Sequence, residues 1–375
     1  MTHQHKEQIN YTFKMLYLIA IFMVIDGHIG GIDYLNLHGF IPYQNFHISL
    51  FTFASGYFLN LKYSHIEFIK RKFLHLIVPL YFWNLIYGLI CHYLNTYHGF
   101  FLGEPLNLYN LFYAPLIDGH QFIYNMASWF LIPLFFIQII CFTLLKPFDK
   151  ASSSTTKLIS LIFFILSTTI ACISLPHAQE NYGMKNLSLL FYRTIYFLPS
   201  FSLGFLYKHF LEKHDKLPSY IYFTIILTIY TIIKYFYPNT RHTPSWLDYL
   251  NAPAIAVYAS SLLSILFWLR ISKILTPIII NNRTLLYISN NTFSIMIHHF
   301  IGFMFVKYLF SSLPNFNSYS FKNNIWYYHF PIDEIASTWI YLAITLVITL
   351  LIGFTTRKIY DTITNRTGGN YYEKQ

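Results

Sequence analysis

Charge is scarce in this chain. Only 11% of its 375 residues are Asp, Glu, Lys or Arg, where a soluble domain carries about 25%. A chain of this length cannot cover a water-facing surface with so few charges, so lipid must solvate much of it. Acidic residues are scarcest, 15 against 25 Lys and Arg. The basic excess does not point to nucleic acid, because no Lys/Arg-dense tract is longer than Lys70-Arg71-Lys72. Cysteine amounts to Cys91, Cys141 and Cys172, each inside an apolar run, which fits neither a disulfide framework nor a zinc site. Glycine never forms a phosphate-cradling loop or a Gly-x-Ser-x-Gly elbow. No His-x-x-x-His or carboxylate–His spacing marks a metal site, and no metal is expected. Long polar stretches are missing too, which leaves no separate soluble domain. There is no internal repeat or inverted pair of broken helices, which weakens a transporter reading.

What is present is apolar and aromatic: 55% of the residues are hydrophobic and 21% are Phe, Trp or Tyr. A helix crosses the hydrocarbon with roughly 20 apolar residues. The candidate spans are 13–31, 46–61, 73–95, 129–146, 157–175, 187–207, 219–237, 251–270, 285–310 and 334–356. The expectation is an all-α, polytopic membrane protein of about ten helices. It has a cytoplasmic segment at 1–12, one membrane domain at 13–356 and a cytoplasmic tail at 357–375. With the N-terminus inside, nineteen of the 25 Lys and Arg residues face the cytoplasm. Lys185, Arg193, Lys234, Arg241, Lys307 and Lys322 make up the outer six, and an even helix count returns the C-terminus inside. The first span is read as a retained helix that doubles as an insertion signal. The longest outer segment, about 96–128, is suited to a lid or a re-entrant loop.

Ionisable side chains within the bilayer are costly, so each is a functional candidate. They are Asp26 and His28 in the first span, His47 at the outer start of the second, Arg193 in the sixth, and His298 and His299 in the ninth. At about 1.5 Å per residue, His28 lies roughly 21–22 Å from the inner end of its helix and His299 about 21 Å into its own. His47 sits about 5 Å below the outer boundary. Three imidazoles from three helices therefore share one depth, which is what a site in the outer half requires. Against this, the chain has 17 histidines, and a single one is more often a hydrogen-bonded helix contact than a catalyst. At the inner face, Phe68-Ile-Lys-Arg-Lys-Phe-Leu-His75 clusters cations. It is either a topological anchor or a phosphate-binding element, with Arg71 and Lys72 its leading residues.

Several stretches, in order, resemble the membrane-bound acyltransferase family 3. These are Leu18-Ile-Ala-Ile-Phe-Met-Val-Ile-Asp-Gly-His28, the run Phe46 to Phe58 with its Ser55-Gly-Tyr turn, and Lys70 to Pro79. Ser128-Trp-Phe-Leu131 and Asn291 to His299, in which Thr292 precedes His299 by seven residues, complete the set. Tyr17 stands where the family often has Arg, with Lys14 one turn earlier as a substitute. His75 replaces a common Arg, and Met296 a common Tyr. The resemblance implies an acyl-CoA donor, acetyl-CoA first among them, on the cytoplasmic side of the cell membrane. It also implies an acceptor hydroxyl on a surface polysaccharide, lipid-linked saccharide or cell-wall glycan. Lys14, Arg71 and Lys72 are then the donor-binding candidates, His28, His299 and His47 the catalytic ones, and Asp26, Arg193, Tyr17 and Ser55 further polar candidates. His28 is favoured as general base, with a covalent acyl-His as the competing chemistry. A polysaccharide exporter or other transporter without acyl transfer is the rival class.

Overall fold

A computed structural model describes residues 9–29, 37, 39–178, 186–248 and 250–366. Most of the expected 1–12 segment and nearly half of the 357–375 tail fall outside these residues, as do Lys6, Lys185, Lys374 and the side chain of Arg366, all counted in the inside–outside bias. The protein is 78% helical, with no strand among the described residues. Ten principal helices match the ten apolar runs. They are α1 (Tyr11–Ile29), α2 (His47–Tyr57), α3 (His65–His98), α4 (Ile123–Phe148), α5 (Ser153–Ala178), α6 (Leu187–His214), α7 (Ser219–Phe236), α8 (Ala254–Ile280), α9 (Thr292–Phe310) and α10 (Glu334–Arg366).

All but α2 are long and apolar enough to cross a membrane. α2 has 11 residues, about 16 Å of helix, and does not reach across the hydrocarbon. The expected span 46–61 is therefore half a crossing. The polar ninth run divides at Asn291 into a short helix, Arg283–Asn290, and α9, and α10 extends past 356 to Arg366. The basic tract, which begins before the expected third span, is helical and forms the first turns of α3.

Proline sets the local irregularities. Pro79 has no N–H for the carbonyl four residues back, and α3 widens into a π-turn over Phe73–Ile77. Pro133 comes after the 3₁₀ stretch Ile123–Phe130 that opens α4, and Pro199 after the break in α6 beyond Tyr196. α1 is buried along most of its length and packs against α2, α8, α9 and α10. α5 is inverted relative to a soluble helix. Its small residues Ser160, Ser167 and Ala171 face the bundle, while Leu158, Ile162, Ile165 and Ile173 are exposed to where lipid belongs.

α2 and α6 cross with their backbones in close approach. A Cβ at Gly56 would collide with the backbone of Phe201, and one at Gly204 with the backbone of Phe53. Thr52 and Ser200 share a 2.5 Å hydrogen bond at the same crossing. Small residues let two backbones touch, as in other membrane helix pairs. This contact brings the C-terminal parts of α2 and α6 to one end of the bundle.

Candidate functional site

Two cavities lie at opposite ends of α1 and α2. The first, about 1080 Å³, is lined by Tyr17 of α1, Ala54 and Ser55 of α2, the loop 58–63, the first turns of α3, Gln138 of α4 and the end of α6. Its cations are Lys62, Arg71, Lys72, Lys208 and Lys213, with Asp149 as the acidic member. Aromatic rings hold several of them. Arg71 lies 4.7 Å from the Tyr63 ring centre, Lys72 5.3 Å from Phe68 and Lys208 5.3 Å from Tyr57. Glu67 also pairs with Arg71 at 3.7 Å. His75 and His209 line the cavity from the two π-turns, Phe73–Ile77 and Tyr207–Leu211. The expected donor residues Arg71 and Lys72 are thus here, while Lys14 is not among the lining residues.

Behind this wall sits an ion network. Asp215 accepts from Lys273 at 2.5 Å, from the Tyr207 hydroxyl at 2.6 Å and from Arg270, and the Tyr57 hydroxyl reaches Glu212 at 3.0 Å. Burial raises the affinity of Asp215 for its proton. The Lys273 ammonium, the Tyr207 hydroxyl and the Arg270 guanidinium outweigh that and hold the carboxyl below its ordinary value.

The second cavity, about 370 Å³, is lined by Val24, Gly27 and His28 of α1, Tyr43 to Phe51 around α2, and His120, Trp129, Arg241, Trp246 and Trp326. Of the three imidazoles placed at one depth by the sequence, His28 and His47 face one cavity and the His299 ring centre is 4.9 Å from that of His28. His28 also lies against Phe300 at 4.9 Å and parallel to Trp326 at 6.1 Å. His298 turns away and shares a 2.5 Å hydrogen bond with the Tyr87 hydroxyl.

Helix geometry fixes the tautomers. His28 Nδ1 is 2.7 Å from the Val24 carbonyl, His47 Nδ1 2.6 Å from that of Tyr43, and His299 Nδ1 2.7 Å from that of Met296. A carbonyl only accepts, so each Nδ1 carries the hydrogen and each Nε2 keeps its lone pair. His299 Nε2 is fully buried with no hydrogen-bond partner. Three imidazoles therefore present basic nitrogens at this end of the bundle.

His120 joins them without having stood out in the sequence. It sits in the 96–128 segment, where Asp118-Gly-His120 is a short carboxylate–imidazole spacing, and its Nδ1–H donates to Asp118 at 2.9 Å. Its ring stacks on Trp246 at 4.2 Å. A buried amide cluster folds the segment inward. Asn84 of α3 accepts from Gln121 at 2.6 Å and from Asn125 at 3.1 Å, and donates to the Leu111 carbonyl at 2.8 Å. Arg193 is 2% exposed. Its guanidinium donates to the carbonyls of Asp118, at 2.8 Å, and Ser245, over the Trp129 face at 4.7 Å. It ties together the two loops that carry His120 and Trp246. Asp26 is buried on α1 and is not among the residues lining either cavity.

A family model described as an acyltransferase domain matches residues 13–357. The chain belongs to the acyltransferase-3 family. That match takes in α1 to α9 and most of α10, and with them every residue of both cavities, so this is a membrane acyltransferase. Neither the curated proteins nor the solved structures yield a match to this acyltransferase.

Proposed function

We propose that this acyltransferase moves an acyl group, acetyl in the first instance, from cytoplasmic acyl-CoA to a hydroxyl of a surface or lipid-linked glycan. The observation that carries the reading is the opposition of the two cavities across α1 and α2. A large cationic cavity suits the phosphates of a coenzyme A donor, because charge-assisted hydrogen bonds from Lys and Arg are the strongest neutralisers of phosphate. A smaller cavity of Trp, His, Ser and Thr suits a sugar, whose ring packs on aromatic faces and whose hydroxyls need hydrogen-bonding partners. The basic excess at the cationic end supports a cytoplasmic placement for it, with the chain in the cell membrane. A single cysteine at Lys213 should then resist an impermeant reagent added outside intact cells, and efficient labelling would reverse the orientation.

In the proposed reaction the acceptor oxygen forms a bond to the acyl carbonyl carbon and the carbon–sulfur bond breaks. His28 Nε2 takes the hydroxyl proton during attack, and the departing thiolate receives it. Nδ1 is committed to the Val24 carbonyl, so Nε2 is the nitrogen available for this. The same lone pair is suited to attack the thioester directly, which would form an acyl-His28 before the acceptor arrives.

Purified protein given labelled acetyl-CoA and membranes bearing the native glycans should transfer label to the glycan fraction. Normal glycan movement across the membrane with no labelled ester would favour export instead.

A further inference from the structure

The two cavities share no lining residue. Tyr17 lines the cationic one and Phe51 lines the imidazole one. Their rings lie parallel, with centres 5.9 Å apart and planes 12° from coplanar. On α2 the changeover is abrupt, since Phe51 belongs to one cavity and Ala54, three residues on, to the other. Three residues of helix span about 4.5 Å, roughly the thickness of one side chain. On α1 the nearest lining residues are Tyr17 and Val24, seven residues and about 10 Å apart.

We propose that the Tyr17–Phe51 ring pair is the partition through which the donor's thioester arm must pass, and that the space it leaves sets the length of acyl group accepted. The inference rests on the acyl-CoA reading above. A donor anchored by its phosphates at Arg71 and Lys72 has its thioester on the wrong side of these rings from His28. The arm must part the rings or slip between Phe51 and Ala54. A flat aromatic pair suits both tasks, because it closes the path to water and ions at rest and swings aside by side-chain rotation alone. Ser55, whose hydroxyl donates to the Phe51 carbonyl at 2.9 Å, marks the donor side of the same turn.

Disulfide trapping tests this without knowledge of the acceptor. The mixed disulfide of CoA with 2-thiopyridine is offered to Ser55→Cys and Phe51→Cys variants of the full chain. The engineered thiolate attacks the CoA sulfur, forms a new mixed disulfide with CoA and releases the small pyridine-2-thiolate. The native thiols serve as the blank, Cys91 and Cys141 being buried and Cys172 half-buried. The expected result is a mass increase of one CoA on both variants, suppressed by excess acetyl-CoA, and slower capture at Ile48→Cys one turn further on. Trapping at Ser55→Cys but not at Phe51→Cys would overturn the partition and leave the donor site standing. Capture at neither position, with no binding of CoA, would remove the donor reading along with it.

A second measurement guards against a variant that distorts α2. Phe51→Ala should shift acyl preference toward longer donors, with butyryl-CoA gaining on acetyl-CoA by at least the roughly tenfold that a pocket yields per added methylene. An unchanged chain-length profile in a folded, CoA-binding Phe51→Ala protein would overturn the specificity half of the proposal.

Discussion

The two ends of the bundle solve different electrostatic problems with different residue types. At the cationic end the charges are carried by Lys and Arg on long stems, steadied by aromatic rings and, at Arg71, by Glu67. At the imidazole end the cavity-lining histidines are fixed through Nδ1, His28 and His47 by helix carbonyls and His120 by a carboxylate. The first arrangement holds an anion without caring about its exact pose. The second points individual lone pairs, which is what proton transfer needs. On the proposed reading, donor binding and chemistry belong to the two opposite ends of α1 and α2, and each should fail separately.

The sharpest way to break that separation is at His28. His28→Ala should lower acyl transfer by the roughly 10²–10⁴-fold that a general base contributes, with donor affinity near that of the parent. Donor binding lost together with transfer would mean that the two ends are not independent. The complementary variant neutralises Arg71 and Lys72 together. It should raise the donor KM by roughly ten- to a hundredfold, from the loss of charge-assisted hydrogen bonds, and leave kcat within a small factor. An unchanged KM in correctly inserted protein would reduce the tract to a topological anchor.

His28, His47 and His299 were legible in the sequence because a histidine inside an apolar run is conspicuous and helix rise fixes its depth. His120 was not. It lies among polar loop residues, where an imidazole carries no signal, and reaches the cavity only because the Asn84 amide cluster and Arg193 fold its segment back. Arg193 was visible as a buried charge, yet its partners are backbone carbonyls, which no residue pattern encodes. The cationic end divided in the same way. Arg71 and Lys72 announce themselves as a tract. Lys208 and Lys213 read only as topology, because their approach to α3 depends on the Gly56–Gly204 crossing of helices distant in sequence. The helix count was legible from apolar run length, except that α2, apolar for a few residues beyond its helix, looked longer than it is.

A smaller effect sharpens the imidazole side. Asp118→Asn replaces an acceptor-only group with an amide that can also donate, which loosens the tautomer of His120. Transfer should fall by about tenfold, below the range for a full general base, and the pH–rate profile should move while the donor KM stays put. A drop in activity with an unmoved profile would assign Asp118 to holding the loop alone.

The smallest expected effect belongs to the brace behind the cationic cavity, and pH gives its sign. Asp215 has its carboxyl held below the ordinary value of 3.8 by Lys273, Tyr207 and Arg270, despite burial acting the other way. A carboxylate with a depressed folded-state value stabilises the fold at every pH above its unfolded value. That contribution is lost as pH falls through the folded value. The parent protein should therefore keep this share of its thermal stability from pH 7 down to about 4 and shed it below. Asp215→Asn should melt lower than the parent at pH 7, since removing one partner of a buried pair leaves two cations facing a neutral amide. The gap between the two melting curves should narrow as pH drops under about 4 and the parent's own carboxylate protonates. A gap that stays constant into acid would mean that Asp215 acts through packing rather than charge. Donor binding by Asp215→Asn at pH 7 completes the test, because the network backs the wall bearing Lys208 and Lys213 and touches neither His28 nor His120. A modest rise in donor KM with an unaltered kcat would keep the disturbance at the cationic end, whereas a fall in kcat would show that the brace communicates with the imidazoles.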